Sequence, residues 1–96
     1  MSKLQEGLWY EDNLEGLSNY SPWRERIRLV LQVNRIWDFS EKAMKKPTDP
    51  KEMEIYEYLD TKVRLIILDS VKDALIPHLL GKNNAHEMWM ALQNLF

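Results

Sequence analysis

The stretch from Asp49 to Ser70 constrains the fold more than any other part of this sequence. It opens with Asp49-Pro50-Lys51-Glu52, in which the aspartate is a good N-cap and the proline takes the first helical position, where no N–H is needed. Apolar residues then recur at helical spacing on one face. They are Tyr56, Leu59, Val63, Ile66 and Ile67. The pattern predicts a long helix.

The second half of this helix is apolar almost all the way around. Leu65 and Leu68 point away from the main stripe, and a helix that is apolar on two sides is usually covered on two sides. We therefore expect it to be the central helix, with the other elements packed around it. The run from Val63 to Leu68 could form a buried strand, but its helical flanks favour the helix.

The segments on either side predict further helices. Residues 1–19 predict an irregular arm that lays Trp9 and either Leu14 or Leu17 on the core, or a frayed tail with Trp9 exposed. Ser21-Pro22 predicts the start of a helix that ends near Asn34. Its Glu25–Arg28 pair lies off the apolar stripe.

The second half of the chain carries three more local signals. Ser70 is expected to cap a segment from 71 to 80 that Pro77 kinks, and Asn84 to cap a last helix that runs to Phe96. Asp60 and Arg64 predict an ion pair on the surface of the central helix. The sequence thus predicts an all-α fold, a compact bundle of four to five helices around a central long helix. The predicted core residues are Trp23, Ile27, Val30, Leu31, Trp37, Leu59, Val63, Ile66, Ile67, Trp89 and Leu92.

Composition limits the function classes. The 96 residues suffice for one domain, and the chain has no cysteine, which excludes disulfides, cysteine-bound zinc and a thiol nucleophile. We find neither a secretory leader nor an apolar run of about 20 residues, so we expect a cytoplasmic protein that does not enter a membrane. Core burial is the expected role of the tryptophans, and the alternative is that one of them, Trp9 or Trp37, anchors an interface.

No catalytic or metal-binding constellation is evident. The segment His86-Glu87-Met88-Trp89-Met90 begins like a zinc-protease motif, but that chemistry needs a second histidine at position 90. His78 and His86 are the only histidines, and two ligands do not make a metal site. We expect neither an enzyme nor a cofactor or metal.

Charge is distributed unevenly along the chain. Residues 22–51 carry eight basic against four acidic residues, a net +4, while residues 52–73 carry three basic against six acidic, a net −3. The basic segment could contact RNA phosphates, but its aromatic residues are expected in the core rather than on a surface where bases could stack, which favours a solvated face with intramolecular pairs. The possible RNA-contacting residues are Arg24, Arg28, Arg35, Lys42, Lys45 and Lys46.

Three short segments resemble one known family. Leu14-Glu15-Gly16-Leu17-Ser18-Asn19-Tyr20-Ser21-Pro22-Trp23 is similar to the opening motif of the Gag polypeptides of Copia-type LTR retrotransposons, with one extra residue between the glycine and Asn-Tyr. The Ile36-Trp37 pair follows where that family has Leu-Trp. Asn84-Ala85-His86-Glu87-Met88-Trp89-Met90-Ala91-Leu92 then resembles its last motif, with asparagine for the usual threonine.

The resemblance covers residues 14–96 and leaves residues 1–13 as an amino-terminal arm. It implies a capsid-like helical domain that binds copies of itself or related Gag proteins, in particles that enclose the element's RNA. The family's second helical segment and zinc knuckle do not occur in this sequence, so we expect a domain of a longer Gag or a truncated, host-adopted copy.

The resemblance and the surplus of apolar residues favour a self-associating module. RNA binding by segment 24–51 and an adaptor for other Gag-type proteins are the alternatives. The expected oligomer-interface residues are Tyr58, Leu65, Leu68, Trp9 and Phe96.

Overall fold

The computed structural model describes residues 13–96 in full, and it describes the backbone alone of residues 3–5 and 8–9. Its helices are α1 (Tyr20–Val33), α2 (Asp38–Glu41), α3 (Pro50–Asp69) and α4 (Ala85–Leu95), with 3-10 helices at Leu17–Asn19 and Asp73–His78. The predicted all-α class is confirmed. Strands β1 (Lys3–Gln5) and β2 (Leu8–Trp9) pair antiparallel within the arm, where the sequence predicted irregular structure.

Helix α3 begins as its sequence predicts. Asp49 is the N-cap, its Oδ2 accepts from the backbone N–H of Glu52 at 3.1 Å, and Pro50 is the first helical residue. One face of the helix is buried in the core. On the other side the expected cover is only partial, since Leu68 is half-buried against the core whereas Leu65 remains 51% exposed among the described residues.

Helix α1 begins earlier than predicted. Tyr20 is its first residue and Asn19 its N-cap, so Pro22 falls at the third position rather than the first. The proline is tolerated because the first-turn N–H groups have no acceptor within the helix. The predicted end at Asn34 is confirmed by the C-cap.

The turn after α1 is a Schellman motif. The N–H of Arg35 donates to the Gln32 carbonyl and the N–H of Ile36 to the Leu31 carbonyl, both at 2.9 Å. Arg35 has a φ of 60°, a conformation that this motif usually reserves for glycine. Ile36 and Leu31 are both buried, which satisfies the hydrophobic contact that accompanies the motif.

The segment after α3 differs from its prediction. Ser70 ends α3 as its C-cap and its Oγ donates back to the Ile67 carbonyl at 2.8 Å, so it does not start the next element. Instead of a kinked helix over 71–80, a 3-10 helix runs from Asp73 to His78 and contains Pro77. Proline removes a donor and crowds the carbonyl of the preceding turn, which disfavours an α-helix here.

The core lies between α3, α1 and α4, and Leu14 joins the segment before α1 to it. Leu14 donates to the Ser70 carbonyl at 2.8 Å and accepts from the Lys72 N–H at 2.9 Å, which forms a parallel bridge to Val71. Its side chain is fully buried, whereas Leu17 is 74% exposed, so Leu14 is the residue of the two that reaches the core. The predicted core residues are buried except Trp37 and Leu59, which are half-buried against it.

Within the described residues, no helix combines the length and the hydropathy that crossing a membrane requires.

Candidate functional site

Asn19, the asparagine of the first motif, organises the loop before α1. Its Oδ1 accepts from the N–H groups of Glu15 at 3.0 Å and Gly16 at 3.3 Å, and its Nδ2 donates to the Asn13 carbonyl at 3.0 Å. One side chain therefore satisfies three backbone groups that the loop itself cannot pair. The asparagine shapes the loop that leads Leu14 to the core.

The aromatic residues of the three motif segments form one cluster. Trp23 stacks on Trp89 with ring centroids 5.7 Å apart, and Trp37 meets Trp89 edge-on at 5.3 Å. Tyr20 lies between Trp23, at 6.2 Å, and Phe96, at 4.9 Å. Offset and edge-on contacts of this kind are favourable beyond their buried area. The motif aromatics thus hold α1, α4 and the α2 region together.

Trp23 also makes a polar contact at the centre of this cluster. Its Nε1 donates to the Ser70 carbonyl at 2.8 Å, and that carbonyl also accepts from the Leu14 N–H at 2.8 Å. The end of α3, Leu14 and α1 therefore meet at one oxygen atom. Because all of these groups are buried, each hydrogen bond protects a polar atom that would otherwise be unpaired.

Asp60 corrects a sequence prediction, because it is buried rather than on the surface. Its Oδ1 accepts from the backbone N–H of Ala85 at 2.9 Å, and its Oδ2 lies 3.0 Å from the Arg64 Nε. The predicted Asp60–Arg64 ion pair therefore forms, but the carboxylate also binds the first residue of α4. A carboxylate is stabilised at a helix N-terminus by the free N–H groups and the helix dipole.

The histidine of the last motif makes a structural contact. His86 Nδ1 lies 2.7 Å from the backbone carbonyl of Ser40, so this nitrogen carries the proton and α4 is joined to α2. Within residues 13–96, no three histidine or acidic side chains come close enough together to hold a metal ion.

The arginines of the basic segment differ in the contacts that they make with other residues of the chain. The guanidinium of Arg24 lies 6.0 Å from the Trp89 ring centroid, and Arg28 forms the predicted ion pair with Glu25. Hydrogen bonding to Arg28 lowers the pKa of the Glu25 carboxyl. Arg35 is exposed in the turn after α1. The lysines 42, 45 and 46 are exposed on the connection between α2 and α3.

The face of α3 that points away from the core carries an apolar stripe. Ile55, Tyr58 and Leu65 are 60%, 66% and 51% exposed, and their spacing of three and seven residues puts them on one side of a helix. Lys51, Lys62 and Asp69 lie at the remaining positions of the same stripe. We call these six residues the outer face of α3.

The predicted interface residues divide into three groups. Tyr58 and Leu65 lie on the outer face of α3. Leu68 and Phe96 are half-buried and pack against the core, and Phe96 contacts Tyr20. The side chain of Trp9 lies outside the described part of the chain. Ile55 was missed from the sequence, although its heptad spacing to Tyr58 and Lys62 could have identified it.

Comparison with known proteins gives no match for this chain among family models, curated proteins or solved structures. Its function is therefore inferred from its own residues.

Proposed function

We propose that this chain is a self-associating helical domain of the capsid type, similar to the Gag polypeptides of Copia-type LTR retrotransposons or to a host-adopted copy of one. The observation that carries the proposal is the outer face of α3. Three large apolar side chains, Ile55, Tyr58 and Leu65, are each more than half exposed there on one helix. A row of large exposed apolar side chains on one helix face favours a protein–protein contact.

Burial of this stripe supplies the driving force for association. Apolar surface removed from water contributes about 25 cal/mol per Å², and the second copy offers the same apolar residues in return. One 20-residue helix gives a small contact, below about 1,200 Å² in total, and contacts of that size are weak and reversible. Weak contacts suit a protein whose assembly is reversible.

The resemblance in sequence supports the proposal in a second way. The residues that carry it, among them Asn19, Trp23 and Trp89, serve the packing of the domain rather than a reaction. A family defined by packing residues shares a scaffold, so the surface that acts must be sought elsewhere on the chain. The outer face of α3 is such a surface.

A matched pair of variants tests the proposal. Leu65 on α3 and Leu29 on α1 are both 51% exposed, so Leu65→Glu and Leu29→Glu place the same charge at equally accessible sites. In sedimentation velocity over a concentration series, we expect the wild type and Leu29→Glu to shift to larger species as concentration rises. Leu65→Glu is expected to remain monomeric. Equal behaviour of the two variants would contradict the role of α3.

RNA binding is the second candidate, and the exposed lysines 42, 45 and 46 are the observation in its favour. Phosphate contacts make affinity fall steeply with salt. The combined variant Arg24→Glu with Lys45→Glu is expected to abolish binding to single-stranded RNA if this segment is used. Absence of binding by the wild type at low salt would exclude this candidate.

An adaptor for related Gag proteins would use the same outer face of α3. Association of the purified chain with itself favours the capsid-type module, while a monomer that binds a separate Gag-type protein favours the adaptor.

A further inference from the structure

We infer that α3 pairs with α3 of a second copy in antiparallel orientation, about a two-fold axis beside residue 60. This inference rests on the proposed self-association and specifies its geometry. In this arrangement Ile55 lies against Leu65 of the partner subunit, and Tyr58 lies against Lys62 of the partner subunit. Lys51 lies against Asp69 of the partner subunit.

The spacing of the outer face of α3 favours helix–helix pairing. From Lys51 to Asp69 its positions alternate between steps of four and three residues, which is the spacing of the a and d positions of a two-helix seam. Both ends of the stripe are exposed, as are its three apolar members. A second helix can therefore lie along the whole length of α3.

The order of residues along the stripe selects the direction of pairing. In antiparallel orientation Lys51 of one copy lies opposite Asp69 of the other at both ends, and each Ile55 lies opposite a Leu65. Lys62 meets the ring of Tyr58, where its ammonium is attracted to the aromatic face. Parallel pairing would instead set Lys51, Lys62 and Asp69 each against its own copy, which places like charges together.

The two end charges are also placed unfavourably for the isolated helix. Lys51 lies in the first turn of α3 and Asp69 is its last residue, whereas the helix dipole favours acids at the start and bases at the end. Neither residue forms an ion pair with another described residue. A partner in antiparallel orientation supplies the missing opposite charge at both ends.

The pairing is isologous, because the same surface of each copy contacts the other. Each contact therefore occurs twice in the dimer. A contact of this kind closes at two copies, so growth beyond the dimer requires another part of the surface.

Engineered cysteines test the orientation directly, because the chain contains none of its own. Two variants, Lys51→Cys and Asp69→Cys, are mixed in equal amounts and oxidised slowly in a glutathione buffer, and the disulfide-linked species are separated by mass. At a rise of about 1.5 Å per residue the two positions lie about 27 Å apart on one helix. That distance is far beyond the reach of a disulfide.

We expect the mixed disulfide between the two variants to exceed the share given by random collision. Excess of the two homodisulfides would overturn the inference in favour of parallel pairing, and a random share would overturn it as well. Sedimentation of the unmodified chain separates this failure from that of the proposed function. An associating chain with random cross-linking contradicts only the pairing, whereas a strictly monomeric chain contradicts both.

Charge reversal gives an independent test that does not depend on cysteines. Lys51→Glu or Asp69→Lys alone is expected to weaken dimerisation on the order of tenfold, because each sets like charges together at both ends. The combined variant restores the pair and should restore dimerisation. The melting temperature of the monomer should not fall, since both changes suit the dipole of α3. No recovery in the combined variant would contradict the antiparallel arrangement.

Discussion

Arg35 stands in a backbone conformation that is unfavourable for its residue type. The Schellman motif after α1 needs a positive φ at this position, and Arg35 has 60°. Any residue with a Cβ is strained there, while glycine is not. Neither the helical pattern of α1 nor the tolerance of arginine in helices indicates this strain, because the conformation depends on where Ile36 enters the core.

Replacement of Arg35 by glycine is therefore expected to stabilise the fold. We predict that Arg35→Gly raises the free energy of unfolding by about 0.5–1 kcal/mol, with asparagine in between. Urea denaturation measures the change. Gly81, which has a φ of 78°, is the matched control, and Gly81→Ala should lower stability by about 1 kcal/mol. Loss of stability in Arg35→Gly would show that its side chain makes an important contact.

Tyr56 links the stability of the fold to alkaline pH. Burial, together with the nearby Asp60 carboxylate, raises the pKa of the Tyr56 hydroxyl above its ordinary value of 10.0. The neutral tyrosine is the form that the folded state favours. Its contribution to stability is thus fully present below pH 10 and is lost as pH rises through the raised pKa.

We predict that the free energy of unfolding of the wild type falls above about pH 10 more steeply than that of Tyr56→Phe. Phenylalanine keeps the ring contact with Phe39, whose centroid lies 5.6 Å away, but it cannot ionise. Chemical denaturation across the alkaline range compares the two proteins. Parallel curves would contradict the assignment of this transition to Tyr56.

The starting points of α3 and α4 were predictable from the sequence, because each depends on residues that are close together along the chain. Asp49 and Asn84 both act as N-caps and accept from the N–H three residues later, at 3.1 and 2.8 Å. The start of α1 was predicted two residues late because the N-cap is Asn19, whose side chain is held by the loop before it. The structure around Pro77 was also missed, since the choice between a kinked α-helix and a 3-10 helix depends on packing.

Asp60 joins two elements in a way that no local pattern reveals. Its partner, the N–H of Ala85, lies 25 residues away, and i, i+4 spacing identified only Arg64. The carboxylate holds the start of α4 against α3. Removal of the Asp60 carboxylate leaves the buried N–H of Ala85 unsatisfied.

We expect Asp60→Ala to lower the free energy of unfolding by about 1–3 kcal/mol, since it leaves the buried Ala85 N–H without its acceptor. Arg64, whose side chain is 34% exposed, adds little because it can reach water. Glu54→Ala, at an exposed position of the same helix, serves as the control and should stay within about 0.5 kcal/mol. Hydrogen exchange should also accelerate first in α4. An equal effect of the two substitutions would contradict the role assigned to Asp60.

At the scale of the whole molecule, one long helix dominates the shape and provides the candidate contact surface. The domain measures 42 × 25 × 18 Å, and α3 is about 30 Å long at 1.5 Å per residue. The sequence identified Tyr58 and Leu65 as surplus apolar residues, but it could not separate them from Leu68 and Phe96. That distinction depends on which parts of the surface the other elements cover.

The central proposal is that the uncovered side of α3 brings copies of this chain together. Sedimentation equilibrium of the unmodified protein, from micromolar to millimolar concentration, measures the average mass directly. We predict a mass of 11.5 kDa at the lowest concentrations that rises reversibly toward the mass of the dimer. A mass that stays at the monomer value over the whole range would contradict the proposal.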